Sequence, residues 1–353
     1  MKFLFVVIIL STSLKAETLY KRLPWEDSIS RPEIMHPNFI KNFDDLPLTG
    51  EYTKPNRLWS GDYWPFFNNS IDYRWFAKTK AQRNTPPPDR KTAMNSSIHS
   101  LTYLSPAEKY DLYIGRYDYP VKRWVQSLIP SKPQFWEGIC HGWSPASINH
   151  DEPRPRILKN PDGVEVPFSS ADIKALLSFY YAFGFEVDNT HQMGRRCEAN
   201  RIRDAEKDCH EDLNAGAFHI VLTNKLGLLN ESFVADNQRM REVWNNPVHS
   251  YNSQTLSFLS PLSDSAPNTV KVVRIKTRVT YVESTRPQWQ TTIGTKHQKY
   301  RNSYYEYYLD LDEYNNIIGG KWISFDRPDF IWQKRRPARY AGLLSEVGRL
   351  LYE

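Results

Sequence analysis

Gln134-Phe-Trp-Glu-Gly-Ile-Cys140-His-Gly-Trp143 sets an amide, a glycine and a thiol in one short loop ahead of an expected helix. A thiolate is the reactive form of cysteine, and a helix N-terminus stabilises it through unpaired amide hydrogens and the positive end of the dipole. Cys140 therefore reads as a candidate nucleophile, and the backbone N–H of Cys140 with the Gln134 side chain as a candidate oxyanion hole. The competing reading of Cys140 is a buried small apolar residue. The rest of the chain decides between them.

The chain has 353 residues, enough for one large domain with elaborations or for two to three domains. Eleven Trp, 21 Tyr and 17 Phe in a chain 40% hydrophobic and 24% charged describe a folded protein rich in aromatic packing, not a disordered one. The net charge of +6 is scattered among nearly as many acids, and the densest basic run, 334–339, is short. This is a solvated linker and not a nucleic-acid surface.

Met1-Lys2, the apolar run Phe3 to Leu10 and the small and polar residues to Ala16 have the layout of a secretory signal peptide, expected over 1–16. The run is too short to span a bilayer, and no later segment is apolar enough, so export without stable membrane insertion is expected, to the extracellular space or the periplasm. An exported chain keeps disulfides. Of the three cysteines, Cys197 and Cys209 lie close together in a polar stretch, and a bridge closing that ring would contribute about 3 kcal/mol. Cys140 is then unpaired, which in an oxidising compartment favours a use for its thiol.

Residues 17–125 form a Pro/aromatic-rich region expected to wrap over another surface, because Pro breaks regular elements while Trp and Tyr bury large rings. Within it, Ser105 and Pro106 start a helix as N-cap and first helical residue. Ser144 to Ile148 begins a helix with Pro145 in its first turn, and Ser169 caps another. Ala217 to Thr223 reads as a buried strand, and Phe233 to Gln238 as the end or edge of a neighbour. Lys271 to Val282 and Tyr304 to Leu311 are long strands, Ile317 to Ile323 a hairpin partner, and Ala338 to Leu351 an amphipathic helix. The catalytic region is expected over 126–335, with 336–353 as a C-terminal helix.

In chain order, Gln134, Cys140, His219 on its strand and Asp236 make a catalytic set: His219 holds the thiolate and protonates the leaving amine, and Asp236 orients the imidazole. The order and spacing are those of papain-like cysteine enzymes, which gives an α+β fold with a papain-like core and an antiparallel sheet. His141 competes for the base role, and Asp212 and Asn237 for the orienting role. Cys197, Cys209 and His210 lack the spacing of a structural zinc site. The segment 310–316 carries oxygen ligands suited to calcium, against the stronger reading of a polar hairpin turn.

Further stretches resemble the oomycete elicitor-type transglutaminases and their marine bacterial relatives. Val243-Trp-Asn-Asn-Pro-Val-His-Ser-Tyr251 resembles the surface peptide of that family that plants recognise. The Cys140 loop, Ala215 to Asn224, Ile317 to Trp322 and Pro328 to Trp332 are similar as well. The resemblance implies a secreted protein-glutamine γ-glutamyltransferase that joins protein Gln to Lys amines through a Cys140 thioester, with no covalent cofactor and with calcium dependence. A secreted cysteine protease or amidase on the same core, and a non-enzymatic elicitor-like protein, are the alternatives. Trp136 and Trp143 are candidates for shielding the thioester from water.

Overall fold

The computed structural model describes residues 29–184, 189–199 and 213–352; the expected signal peptide, Cys209, His210 and Asp212 lie outside them. Among the described residues, five short α-helices precede the Cys140 loop: α1 (Lys80–Asn84), α2 (Arg90–Met94), α3 (Ile98–Leu101), α4 (Pro106–Tyr113) and α5 (Pro120–Ser127). Helix α4 begins as its sequence dictates, with the Ser105 hydroxyl and the Glu108 side chain closing a reciprocal capping box and Pro106 at the first turn. Helix α6 (Cys140–Asn149) packs against α7 (Ser170–Phe183), which Ser169 and Asp172 cap in the same way.

The sheet is antiparallel throughout, in the order β4 (Thr190–Gly194), β10 (Phe330–Lys334), β5 (Val234–Asp236), β6 (Asn245–Leu259), β7 (Lys271–Glu283), β8 (Lys299–Leu311) and β9 (Ile317–Trp322), with β1 (Thr49–Glu51) added to β6. A separate hairpin joins β2 (Arg156–Lys159) to β3 (Glu165–Phe168). Alternation places the core: Ile275, Thr277, Val279 and Tyr281 of β7 and Tyr305, Tyr307 and Leu309 of β8 are buried, while Lys276 and Arg278 are exposed. The fold is therefore α+β, with the long strands from Lys271 to Trp322 in the same sheet as Asp236.

Three expectations change. Ala217 to Thr223 is helical: α8 (Ala215–Leu222) starts where the Asn214 side chain accepts the Gly216 and Ala217 N–H groups. A short apolar run fits a buried helix as well as a buried strand, and here the N-cap decides it. Phe218 of α8 packs on Tyr305, Tyr307 and Trp322, and the helix comes so close to β9 that a Cβ on Gly216 would lie 2.2 Å from the Gly319 carbonyl oxygen. Strand β5 is interior, between β10 and β6. The C-terminal segment is a 3-10 turn (Gly342–Gly348) and the short α9 (Arg349–Tyr352) instead of one helix, with Gly342 at a left-handed φ of 63° and a break at Leu344.

The N-terminal region wraps as expected, and it wraps onto α6. The Leu58 N–H donates to the Ser147 carbonyl, the Trp59 indole to the His150 carbonyl, and the Trp143 indole to the Trp59 carbonyl. Tyr63 then accepts the Ile139 N–H at 2.7 Å, and Phe66 donates to Glu137. The loop before Cys140 is thus held by a segment more than seventy residues upstream.

Candidate active site

Cys140 is the first residue of α6, so the helix begins four residues before the expected start at Ser144, and Pro145 sits inside it and not in its first turn. The His141 carbonyl consequently lacks its donor four residues on. Helix α6 is set by Gly142, where a Cβ would lie 1.9 Å from the Ser178 carbonyl oxygen of α7. Only glycine permits that approach.

The thiol is free and buried, 5% exposed. Asn245 donates its side-chain N–H to Sγ at 3.7 Å, and the sulfur donates to the Val243 carbonyl at 3.8 Å. Burial pushes the thiol pKa up and the neighbouring Asp236 pushes it further, against the Asn245 side-chain and backbone amides and the His141 backbone amide, which favour the anion. Burial wins. The resting group is a neutral thiol.

Asp236 is fully buried on β5; Oδ1 accepts the Trp244 N–H at 2.9 Å, and Oδ2 has no partner among the described residues. Burial, with Asp329 nearby, holds its carboxyl well above the usual carboxylate range. Asp236 acts on the Cys140 thiol through its charge, and no hydrogen bond joins it to His219, which bonds Tyr307 instead.

His219 stands elsewhere. Its Nδ1 shares a 2.8 Å hydrogen bond with the Tyr307 hydroxyl, which continues through Thr277 to Ser253, and its ring stacks near Phe43. Burial alone drives its pKa down to about 3, so it is a neutral side chain of the core. No hydrogen bond joins it to Cys140 or Asp236. The expected Cys–His–Asp relay is not joined by hydrogen bonds here: the expectation put His219 on a strand, whereas α8 presents it to Tyr307.

Gln134 is exposed, and its backbone N–H donates to the Glu137 carboxylate; no hydrogen bond links its side chain to Cys140. His141 faces a cavity of about 450 Å³ shared with Phe183, Asn245, Trp332 and Lys334. Burial and Lys334 lower its pKa to about 4. Asn237 bonds Asn246. Trp143 is buried in the core, and Trp136 is half-buried under the Arg196 guanidinium.

Asn245 is the residue that the sequence reading did not assign. Its Oδ1 accepts the Trp332 indole N–H at 2.7 Å while its Nδ2 holds the sulfur, and the Ser144 hydroxyl donates to its carbonyl. The available signal was its place inside 243–251, where it and four other residues match the family peptide.

The model of the transglutaminase elicitor family matches residues 130–348, more than half of the chain. This chain belongs to the transglutaminase elicitor family. It is also similar to the crystal structure of the GP42 transglutaminase from Phytophthora sojae, with a TM-score of 0.62 and 25% identity over 89% of this chain and 93% of that one. No curated protein matches it.

In this family member the stretch 243–251 is only partly at the surface: Asn245 to Val248 are buried, Trp244 is half-exposed, and two of its residues contact the Cys140 sulfur. The 310–316 turn is a hairpin turn. Asp310 accepts the Ala266 N–H, and Asp312 accepts those of Tyr314 and Asn316 and the Asn316 side chain, so its oxygens are occupied by the chain itself. Among the described residues no three His, Cys, Asp or Glu side chains cluster to hold a metal. The residues present there do not fit calcium. Cys197 is buried, and its expected partner Cys209 is outside the described residues. No described helix is long and apolar enough to cross a membrane.

Proposed function

We propose that this protein is a secreted protein-glutamine γ-glutamyltransferase that joins protein glutamine to lysine amines through a thioester on Cys140. The observation that carries the reading is a free thiol at the first residue of α6, where three N–H groups favour its anion and the buried Asp236 carboxyl acts on it electrostatically. Family membership and the likeness to the GP42 transglutaminase support it. Secretion rests on the leader layout of residues 1–16, and a Cys197–Cys209 disulfide goes with it.

The chemistry follows from a neutral thiol held near a carboxylate whose basicity burial has raised. As the sulfur attacks the carboxamide carbon of glutamine, its proton passes to Asp236, whose raised pKa makes its carboxylate a better base than an exposed one. The C–N bond breaks, and Asp236 returns the proton to the departing ammonia. Asn245 keeps the sulfur in place. His219 takes no part in this scheme.

The test is to incubate the protein with a glutamine-containing acceptor protein and a labelled primary amine, with Cys140→Ala beside it. Amine incorporation that vanishes in the variant is expected. Peptide-bond cleavage without incorporation would make the protein a protease, and full activity of Cys140→Ala would end the assignment of the nucleophile.

A further inference from the structure

Two segments that touch the surroundings of Cys140 carry aromatic rings that do not close the core. The Tyr63 carbonyl accepts the N–H of Ile139, directly before the nucleophile. Trp244 lies between Val243 and Asn245, both in contact with the sulfur. Their rings meet edge to face with centroids 5.5 Å apart, and Phe135 extends the group at 6.4 Å from Trp244. Tyr63 and Trp244 are half-exposed, and Phe135 is 59% exposed. The Tyr63 hydroxyl, donating to the Phe135 carbonyl, fixes one side of this surface.

The border of the surface is acidic. Glu242 accepts the Trp244 indole N–H at 3.0 Å, and Glu137 accepts the Gln134 N–H at 2.8 Å; both are half-exposed. The Arg196 guanidinium, which also lies near Asp236, is taken up by the Arg241 carbonyl and the Trp136 ring. Aromatic rings edged by carboxylates suit one kind of ligand, a cation on an aliphatic stem, through ring quadrupoles and opposite charge. A neutral glutamine carboxamide has no charge for the acids to attract and gains less from them than an ammonium does. The cavity on the His141 side carries the cation Lys334 and suits an ammonium less.

We infer that the Tyr63–Trp244–Phe135 surface, edged by Glu242 and Glu137, is the acceptor subsite, which receives the lysine side chain that resolves the acyl-enzyme. This rests on the reading of Cys140 as an acyl-transfer nucleophile. The bound ammonium loses one proton to solvent, and the neutral amine attacks the thioester carbon. The C–N bond forms, the C–S bond breaks, and the second amine proton returns to the Cys140 sulfur.

Binding tests the subsite apart from the reaction. Cys140→Ala protein is titrated with Nα-acetyl-lysine methylamide, and with the same compound acetylated on Nε, while Trp fluorescence and heat are recorded. The free amine is expected to bind saturably and the acetylated one not. Glu242→Gln, which keeps an oxygen for the Trp244 indole, should weaken binding about three- to fivefold, and Trp244→Ala should weaken it further. In the wild-type background, Glu242→Gln should raise KM for the amine by the same factor and leave KM for the glutamine donor unchanged. Equal binding of both compounds, or an effect of Glu242→Gln on donor KM alone, would overturn the subsite. Selective amine binding with no amine incorporation would uphold the subsite and refute the transferase reading.

Discussion

At Cys140 the helix N-terminus and three amide hydrogens favour a thiolate, while burial and Asp236 oppose it, and the opposition is the larger effect. This is why the partner of the thiol matters more than its position. His219 has the opposite status: with a folded pKa of about 3 against about 6.5 unfolded, the unfolded chain binds its proton first as pH falls. Stability from its burial is therefore present above about pH 6.5 and is lost below, by about 2 kcal/mol at pH 5. His219→Gln, which cannot titrate, should narrow its stability gap to the wild type by that amount between pH 7.5 and pH 5, as read by urea unfolding. A constant gap would contradict the neutral buried imidazole. The reading of Cys140 came from an odd cysteine count beside a leader-like N-terminus. A spacing along the chain does not say which neighbour the His219 side chain meets, and Asn245 was read only as part of the 243–251 resemblance because nothing in the sequence places that stretch against Cys140.

Among the elements, α6 and α7 depend on one missing side chain. A methyl at residue 142 would collide with the α7 backbone, which cannot swing away as a side chain can, so α6 must shift and take Cys140 with it. Gly142→Ala should cost about 2 kcal/mol in urea unfolding and most of the amine incorporation; unchanged stability and rate would show that α6 has room. The elements that the sequence announces are those with a local physical cause: the capping boxes of α4 and α7, and the alternation along β7 and β8. Helix α8 was missed because it is buried on all sides, and an apolar run without a polar face has no period to read.

Across the molecule, the part matched by the family begins at residue 130, yet α6 takes hydrogen bonds from Leu58 and Trp59, and β1 pairs with β6. A buried Lys174–Glu152 pair also bonds Ser60 and Thr292, tying the wrap to α7 and to the segment before β8. Residues 130–353 expressed alone should therefore lack cooperative unfolding in calorimetry, since Trp59 and Trp64 leave their pockets empty and Lys174 loses the Ser60 carbonyl. A sharp transition near that of the full chain would refute this. The wrapping was legible from Pro and aromatic content, but its target was not, because composition does not name a partner surface.

The central claim is that Asp236, and not His219, is the acid–base partner of Cys140. Iodoacetamide alkylation of Cys140 against pH tests it most directly, on the wild type, Asp236→Asn and His219→Gln. Losing a negative neighbour favours the thiolate, so Asp236→Asn should alkylate at lower pH than the wild type, while His219→Gln should retain the wild-type profile. A displaced profile for His219→Gln, with that of Asp236→Asn unmoved, would contradict the account.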